Sequence, residues 1–204
     1  DYLARVNSVD KAWAAEKAGE WGYHYWDGSR DTGYGGYKYD GRWMQVAQDL
    51  VDEYGLKDGS RILDIGSGKG FLLHDLKQLN GQFEITGFDI SEYALDHAVD
   101  DIREYCVQGC ASTLPFEDNY FDLVISINTL HNLHLHKLWR ALEEINRVSK
   151  AHQFICVEAY RNEREKANLL YWQLTCRAFF SPEDWQFLLE KTGYNGDVEY
   201  IYFE

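Results

Sequence analysis

From about residue 61 onward, apolar and polar positions alternate in blocks that predict strands and helices in turn. Arg61–Ile65 is a short apolar strand, followed by a helix over Gly70–Leu79. Phe83–Asp89 reads as a second strand and Tyr105–Gln108 as a short third. Phe121–Ile127 is almost continuously apolar, as expected of a central strand buried on both faces. Phe154–Ala159 and Val198–Phe203 complete the strands. The intervening helices are Glu92–Arg103, with Ser91 as its N-cap, and a helix from His134 or Leu135 to Val148. Leu135, Leu138, Leu142, Ile145 and Val148 share one face of the latter. Further helices cover Glu163–Arg177 and the stretch from Ser181-Pro182-Glu183-Asp184, a cap, an N1 proline and two acids, to Gly193. Such alternation predicts an α/β fold with a doubly wound, mostly parallel sheet.

Ahead of this pattern, Ser8–Glu20 reads as an Ala/Lys/Glu helix. Arg42–Tyr54 is a second helix, with Trp43, Val46, Ala47 and Leu50 in a stripe and Gly55 as its stop. Between them, Trp21–Trp43 holds eight aromatic residues and six glycines without helical or strand period, and should be a structured loop. The expected organisation is therefore an N-terminal extension and candidate lid over residues 1–43, followed by a compact domain over 44–204.

With 34 acidic and 20 basic side chains, the formal charge is −14, and no run of five to eight residues is rich in Lys and Arg. That balance repels phosphate backbones and disfavours nucleic acid as a partner. The acidity instead suggests a neutral or cationic small acceptor, while leaving room for a basic protein tail. No apolar run approaches the roughly eighteen residues of a membrane span. Cys106, Cys110, Cys156 and Cys176 form no C-x-x-C pair, so a reduced, cytoplasmic setting is expected. Since the chain starts at Asp1 rather than Met, sequence preceding it is expected as well.

The chemistry is concentrated in RILDIGSGKG, residues 61–70, and in Phe88-Asp89-Ile90. A strand running into a glycine-rich turn, with an acid ending the next strand, is how α/β sheets build nucleoside sites. A dinucleotide fingerprint would need glycine where Phe71 stands, and a P-loop would need Gly-Lys-Ser/Thr. Asp64 beside the turn repels a pyrophosphate but suits a ligand bearing an ammonium group.

The D-x-G-x-G-x-G pattern with Asp89 downstream resembles motifs I and II of class I (Rossmann-like) S-adenosylmethionine-dependent methyltransferases. The resemblance extends from about Arg42 to Phe203. It implies S-adenosyl-L-methionine as cofactor and S-adenosyl-L-homocysteine as product. By the same resemblance, Gly66, Ser67, Gly68 and Gly70 lie under the methionine and ribose. Asp64 orients the amino group, Asp89 takes the ribose hydroxyls, Ile90 packs on the adenine, and Asn128 lies near the methionine. The family's Gly-Asp-Ala appears here as Gly109-Cys110-Ala111, which replaces an adenine-contacting acid by Cys110 beside Ala111. The family usually ends in an antiparallel strand pair, whereas one terminal strand is evident here.

His131, leaving the fourth strand, is the general-base candidate, the alternative being a loop histidine held by hydrogen bonds. His131, His134 and His136 with Glu158 raise a metal site, but residues two apart do not share a helix face, and no metal is expected. In the aromatic segment, Tyr34 and Tyr37 could wall the sulfonium, and Arg42 could pair with the methionine carboxylate. The alternative is a structural anchor or a homodimer contact. The predicted function is methyl transfer to a hydroxyl or amine of a small molecule. The rival readings are a catalytically silent cofactor-binding partner subunit and a protein methyltransferase.

Overall fold

The computed structural model describes residues 7–204. The first helix, α1 (Lys11–Gly19), is capped by the Asp10 carboxylate on the amides of Ala12 and Trp13. The aromatic segment contains one short helix, α2 (Tyr23–Trp26), where only a loop was expected. α3 (Met44–Tyr54) ends on Gly55 in the left-handed conformation.

Six strands then form one sheet: β1 (Arg61–Ile65), β2 (Glu84–Asp89), β3 (Cys106–Gln108), β4 (Phe121–Ile127), β5 (Ser149–Glu158) and β6 (Asp197–Ile201). Their order is β3-β2-β1-β4-β5-β6, and every neighbouring pair is parallel. The chain leaves β1 towards one edge and returns through β4 towards the other. The switch point therefore lies between β1 and β4, where Asp64 is in register with Gly87 on one side and Ile125 on the other. Open α/β sheets bind ligands outside the carboxyl ends of strands at such a point.

Helices α4 (Phe71–Leu79), α5 (Glu92–Asp96), α6 (Leu135–Val148), α7 (Glu163–Trp172) and α8 (Pro182–Thr192) connect the strands. Alternation along each strand sends successive residues to opposite faces. Ile62 and Ile125 pack with Ala47 and Leu50 of α3 and Leu72 and Leu76 of α4. Leu63, Ile65 and Val124 pack with Leu138, Leu142 and Ile145 of α6 and Trp185 and Leu188 of α8. α8 opens with a reciprocal capping box between Ser181 and Asp184 and closes on left-handed Gly193.

Two helices are shorter than their periodicity predicts, each because tertiary contacts take over the backbone. α5 stops at Asp96, and the Val99 amide donates to Lys69 O while Ile102, fully buried, fills the space beneath Gly70. α7 stops at Trp172, and the amides of Arg177 and Ala178 donate to His131 O. The sheet ends at β6, paired parallel to β5, with no seventh strand among the described residues.

Candidate cofactor site under an aromatic roof

The β1–α4 turn is organised from within. The Gly66 amide donates to Phe88 O at 2.7 Å and the Gly70 amide to Ser67 O at 2.9 Å. The Gly68 amide donates to Asp89 Oδ2 at 2.8 Å, and the other Asp89 oxygen accepts from the Ser91 amide at 2.7 Å. The Gly66, Gly68 and Gly70 amides are therefore not free to cradle a phosphate. Asp89, with four acceptor positions on two oxygens and two of them used, keeps capacity for hydroxyl donors. Burial pushes the Asp89 pKa up against the pull of the Ser91 and Gly68 amides. Asp64 is also buried, and burial with the Asp89 charge pushes it up to about 7. An ammonium group nearby would draw it back into the ionised form.

Glycine is required at Gly66 and Gly68 by both conformation and space. Their φ angles are +83° and +55°, and a Cβ would stand 1.8 Å from Thr129 Oγ1 and 2.7 Å from the Trp26 ring respectively. Gly70 serves packing: its φ is +73°, and a Cβ would meet Ile102 Cδ1 at 1.9 Å. Gly70→Ala is expected to lower stability by about 2 kcal/mol or more, measurable as a reduced urea midpoint with an unchanged m-value.

A cavity of about 290 Å³ opens over this turn. Asp64, Gly66, Ser67, Gly68 and Asp89 line its floor, with Ile90, Cys110 and Ala111 along one side and Asn128 on another. Asn128 sits in the left-handed region at φ +58°, where Asn is among the residues most often found. Trp21, Tyr25, Trp26, Tyr34, Tyr37 and Trp43 form the roof. Trp26 stacks on Tyr34 with centroids 5.5 Å apart, and Tyr37 stacks on Phe71 at 4.8 Å.

The roof is fastened by polar contacts that sequence reading does not reveal. Lys69, inside the glycine turn and buried, donates to both Asp27 oxygens at 2.7 Å and to Tyr37 O at 2.9 Å. Tyr93 donates to Asp27 Oδ2 at 3.0 Å. Burial works against the Asp27 carboxylate, but the Lys69 and Tyr93 hydrogen bonds outweigh it and hold its pKa below the usual range. The Trp26 indole donates to Ser91 Oγ at 2.9 Å, tying the roof to the cap of α5. The one available clue was a lysine within a motif of glycines, and it does not name its partner.

Three residues expected at the ligand stand elsewhere. Gly70 lies outside the cavity wall, in the packing role described above. Arg42 also lies outside it; its exposed guanidinium pairs with Asp40. His131 is 2% exposed and is not in the wall. Its Nδ1 accepts from the Glu158 amide at 3.4 Å and its Nε2 is 3.5 Å from Glu158 Oε2. Burial disfavours charge on both partners, pushing His131 down to about 3 and Glu158 up to about 7. The ring is therefore expected to stay neutral between pH 5 and 8. A flat proton resonance for its imidazole across that range would bear this out; a midpoint near 6.5 would refute it. His134, not His131, is the histidine lining the cavity. His134 and His136 stack with centroids 6.2 Å apart, both exposed.

An α/β switch-point cleft, a turn whose Gly66, Gly68 and Gly70 amides are engaged internally, and two buried acids at its floor define a nucleoside site suited to a cationic ligand. A family model described as a methyltransferase domain matches residues 63–157. Over 130 residues the chain is 34% identical to the tRNA (carboxymethyluridine(34)-5-O)-methyltransferase of Arabidopsis thaliana, covering 63% of this chain and 30% of that one. Over 144 residues it is 30% identical to a ribosomal protein L11 methyltransferase of Thermotoga neapolitana, covering 67% and 52%. A solved S-adenosylmethionine-dependent methyltransferase from Thermotoga maritima superposes with a TM-score of 0.54 at 26% identity, covering 76% of this chain and 75% of that one. Residues 63–157 are thus a methyltransferase domain, the fold is that of the class I S-adenosylmethionine-dependent methyltransferases, and S-adenosylmethionine is the cofactor this likeness implies. It spans about a third to a half of the curated relatives just named. No helix among the described residues is long and apolar enough to cross a membrane.

Proposed function

We propose that this chain transfers the methyl group of S-adenosylmethionine to a hydroxyl or amine of a small molecule. The observation that carries this reading is the enclosure: one cavity of about 290 Å³ has the family's motif I and II residues as floor and six aromatic side chains as roof. A roof fastened over the reacting centre favours an acceptor that fits beneath it over one presented on a large surface. The relatives named above act on tRNA and on a ribosomal protein, so the small acceptor is a property proposed for this chain alone.

The cofactor supplies an electrophilic methyl group. The protein then has to bind, align and exclude water, since an in-line displacement is accelerated mainly by positioning. Asp64 and Asp89 would hold the amino and ribose groups, with Ile90 and the Cys110–Ala111 stretch flanking the base. Tyr34 and Tyr37 would offer ring faces to positive charge. Where the acceptor is a hydroxyl, His134 is the wall side chain suited to take its proton. The lid assignment for the Trp21–Trp43 segment belongs to the same reading. The four cysteines are free thiols, in keeping with a reducing, cytoplasmic location.

Calorimetry with S-adenosylmethionine and S-adenosylhomocysteine, with NAD as control, tests the cofactor half. Micromolar binding of the first two alone is expected. Binding should also release protons near pH 6.5, because an ammonium beside Asp64 lowers a pKa that stands at about 7. Titrations in buffers of different ionisation heat would measure that release. Equal heats in both buffers would separate Asp64 from the ammonium. Transfer of labelled methyl to a small-molecule extract tests the second half; label found only in protein or RNA would overturn the small acceptor.

A further inference from the structure

The acidic chain suggests a neutral or cationic acceptor, but the cavity wall has a different local charge. Its carboxylates are Asp64 and Asp89, both on the cofactor floor. Beyond them, the wall carries Lys137 from α6 and Arg177 from the stretch after α7, accompanied by the neutral polar side chains of Asn132 and Thr175. Asn132 and Thr175 are hydrogen bonded to each other at 2.8 Å, which fixes this part of the wall. Arg177 is held in place through its backbone, whose amide donates to His131 O at 2.8 Å. No acid pairs with either cation among the described residues, whereas Lys69, in the glycine turn and outside the wall, is committed to Asp27. Glu158 is not in the wall: it is buried against His131 and Gln173.

In a chain with 34 acids and 20 bases, a stretch of cavity wall with two cations and no acid runs against composition. Two unpaired cations at the edge of a low-dielectric cleft concentrate positive potential there, while the acidic exterior repels anions that do not fit. Arginine and lysine both serve carboxylate and phosphate groups, the former through paired N–H donors.

We propose that the methyl acceptor is a small organic anion, whose carboxylate or phosphate group is held by Lys137 and Arg177 while its hydroxyl or amine faces the cofactor. The inference rests on the methyltransferase reading above and adds the substrate class. The transfer itself forms a bond from the acceptor heteroatom to the methyl carbon and breaks the carbon–sulfur bond, whose electrons remain on sulfur as S-adenosylhomocysteine leaves. The proton displaced from the heteroatom passes to the wall or to water. The anionic group takes no part in bond making, and its role is to fix the orientation of the attacking atom.

The test uses the whole chain saturated with S-adenosylhomocysteine and measures binding of matched probes. Each set holds a carboxylate, its primary amide and the corresponding amine: 4-hydroxybenzoate, 3-hydroxypropionate and glucuronate head three sets, with glucose 6-phosphate against glucose as a fourth. At least one anion is expected to bind about tenfold more tightly than its neutral and cationic counterparts, as one charge-assisted contact provides. Arg177→Glu and Lys137→Glu should each remove most of that preference, leaving S-adenosylhomocysteine affinity within about twofold of the unmodified protein. Both side chains are exposed, and an unchanged melting curve would confirm that the variants fold. Amides or amines that bind as well as every anion would overturn the proposal. An equal loss of S-adenosylhomocysteine binding in the variants would also overturn it, because the cations would then serve the cofactor. An RNA oligonucleotide that outcompetes all the small anions would replace it with a nucleic-acid acceptor. Failure of the unmodified protein to bind S-adenosylhomocysteine at all would instead strike the methyltransferase reading and take this inference with it.

Discussion

Asp89→Ala is expected to weaken S-adenosylhomocysteine binding by about 100-fold, the largest loss for any single site residue. Two separate effects combine. The carboxylate is the acceptor for the Gly68 and Ser91 amides, so its removal unfastens the glycine turn from the start of α5. It also removes the acceptor proposed for the ribose hydroxyls, and each charge-assisted hydrogen bond is worth roughly 1.5–3 kcal/mol. Asp89→Asn separates the two, since one amide oxygen can still accept from a backbone N–H while the charge is gone. Its loss should be intermediate, about tenfold. Calorimetry at constant pH measures both. Affinities within twofold of the unmodified protein would remove Asp89 from the site.

Asp27→Ala is expected to release the roof. Lys69 would be left 8% exposed at its side chain with Tyr37 O as its remaining partner, and stranding a buried cation costs about 3 kcal/mol. Amides of residues 21–43 should then exchange faster with deuterated solvent, while those of β1 and β4 remain protected. S-adenosylhomocysteine should dissociate faster, because the fastened roof blocks its exit. The double variant Asp27→Ala, Lys69→Met tests the cause: with no stranded charge, much of the lost stability should return while the roof stays loose. Unchanged exchange over residues 21–43 would mean that aromatic packing alone holds the segment.

These expectations draw on parts of the molecule that differ in how far the sequence reveals them. Phe121–Ile127 coincides with β4, because a strand buried on both faces writes its burial into every position. Ser181-Pro182-Glu183-Asp184 begins α8 as expected, because a cap is satisfied by atoms within three residues. The Glu92–Arg103 and Glu163–Arg177 helices were overextended for the opposite reason. Val99, Arg177 and Ala178 exchange helical hydrogen bonds for carbonyls of Lys69 and His131, thirty or more residues away in sequence, and no local pattern announces that.

The site divides in the same way. Asp64, Gly66, Ser67, Gly68, Asp89, Ile90, Cys110, Ala111, Asn128 and Tyr37 all line one cavity, and all but Tyr37 stand at or just beyond the ends of strands. Arg42 and His131 do not, although their chemistry suited the roles expected of them. Arg42 is drawn to Asp40 two residues away, and His131 turns inward to Glu158 on the neighbouring strand. Lys69, Lys137 and Arg177 carry no local signal of their roles, because each acquires its meaning from residues distant in the chain.

By itself, then, the sequence determined the strand–helix alternation, the glycine turn and the two acids of a cofactor site. These depend on backbone conformation and on short, fixed spacings. Only the tertiary structure decided which side chains close the cavity, that Asp27 fastens its aromatic roof and that Lys137 and Arg177 stand in its wall. Those depend on which surfaces the packed sheet brings within a few ångströms of one another.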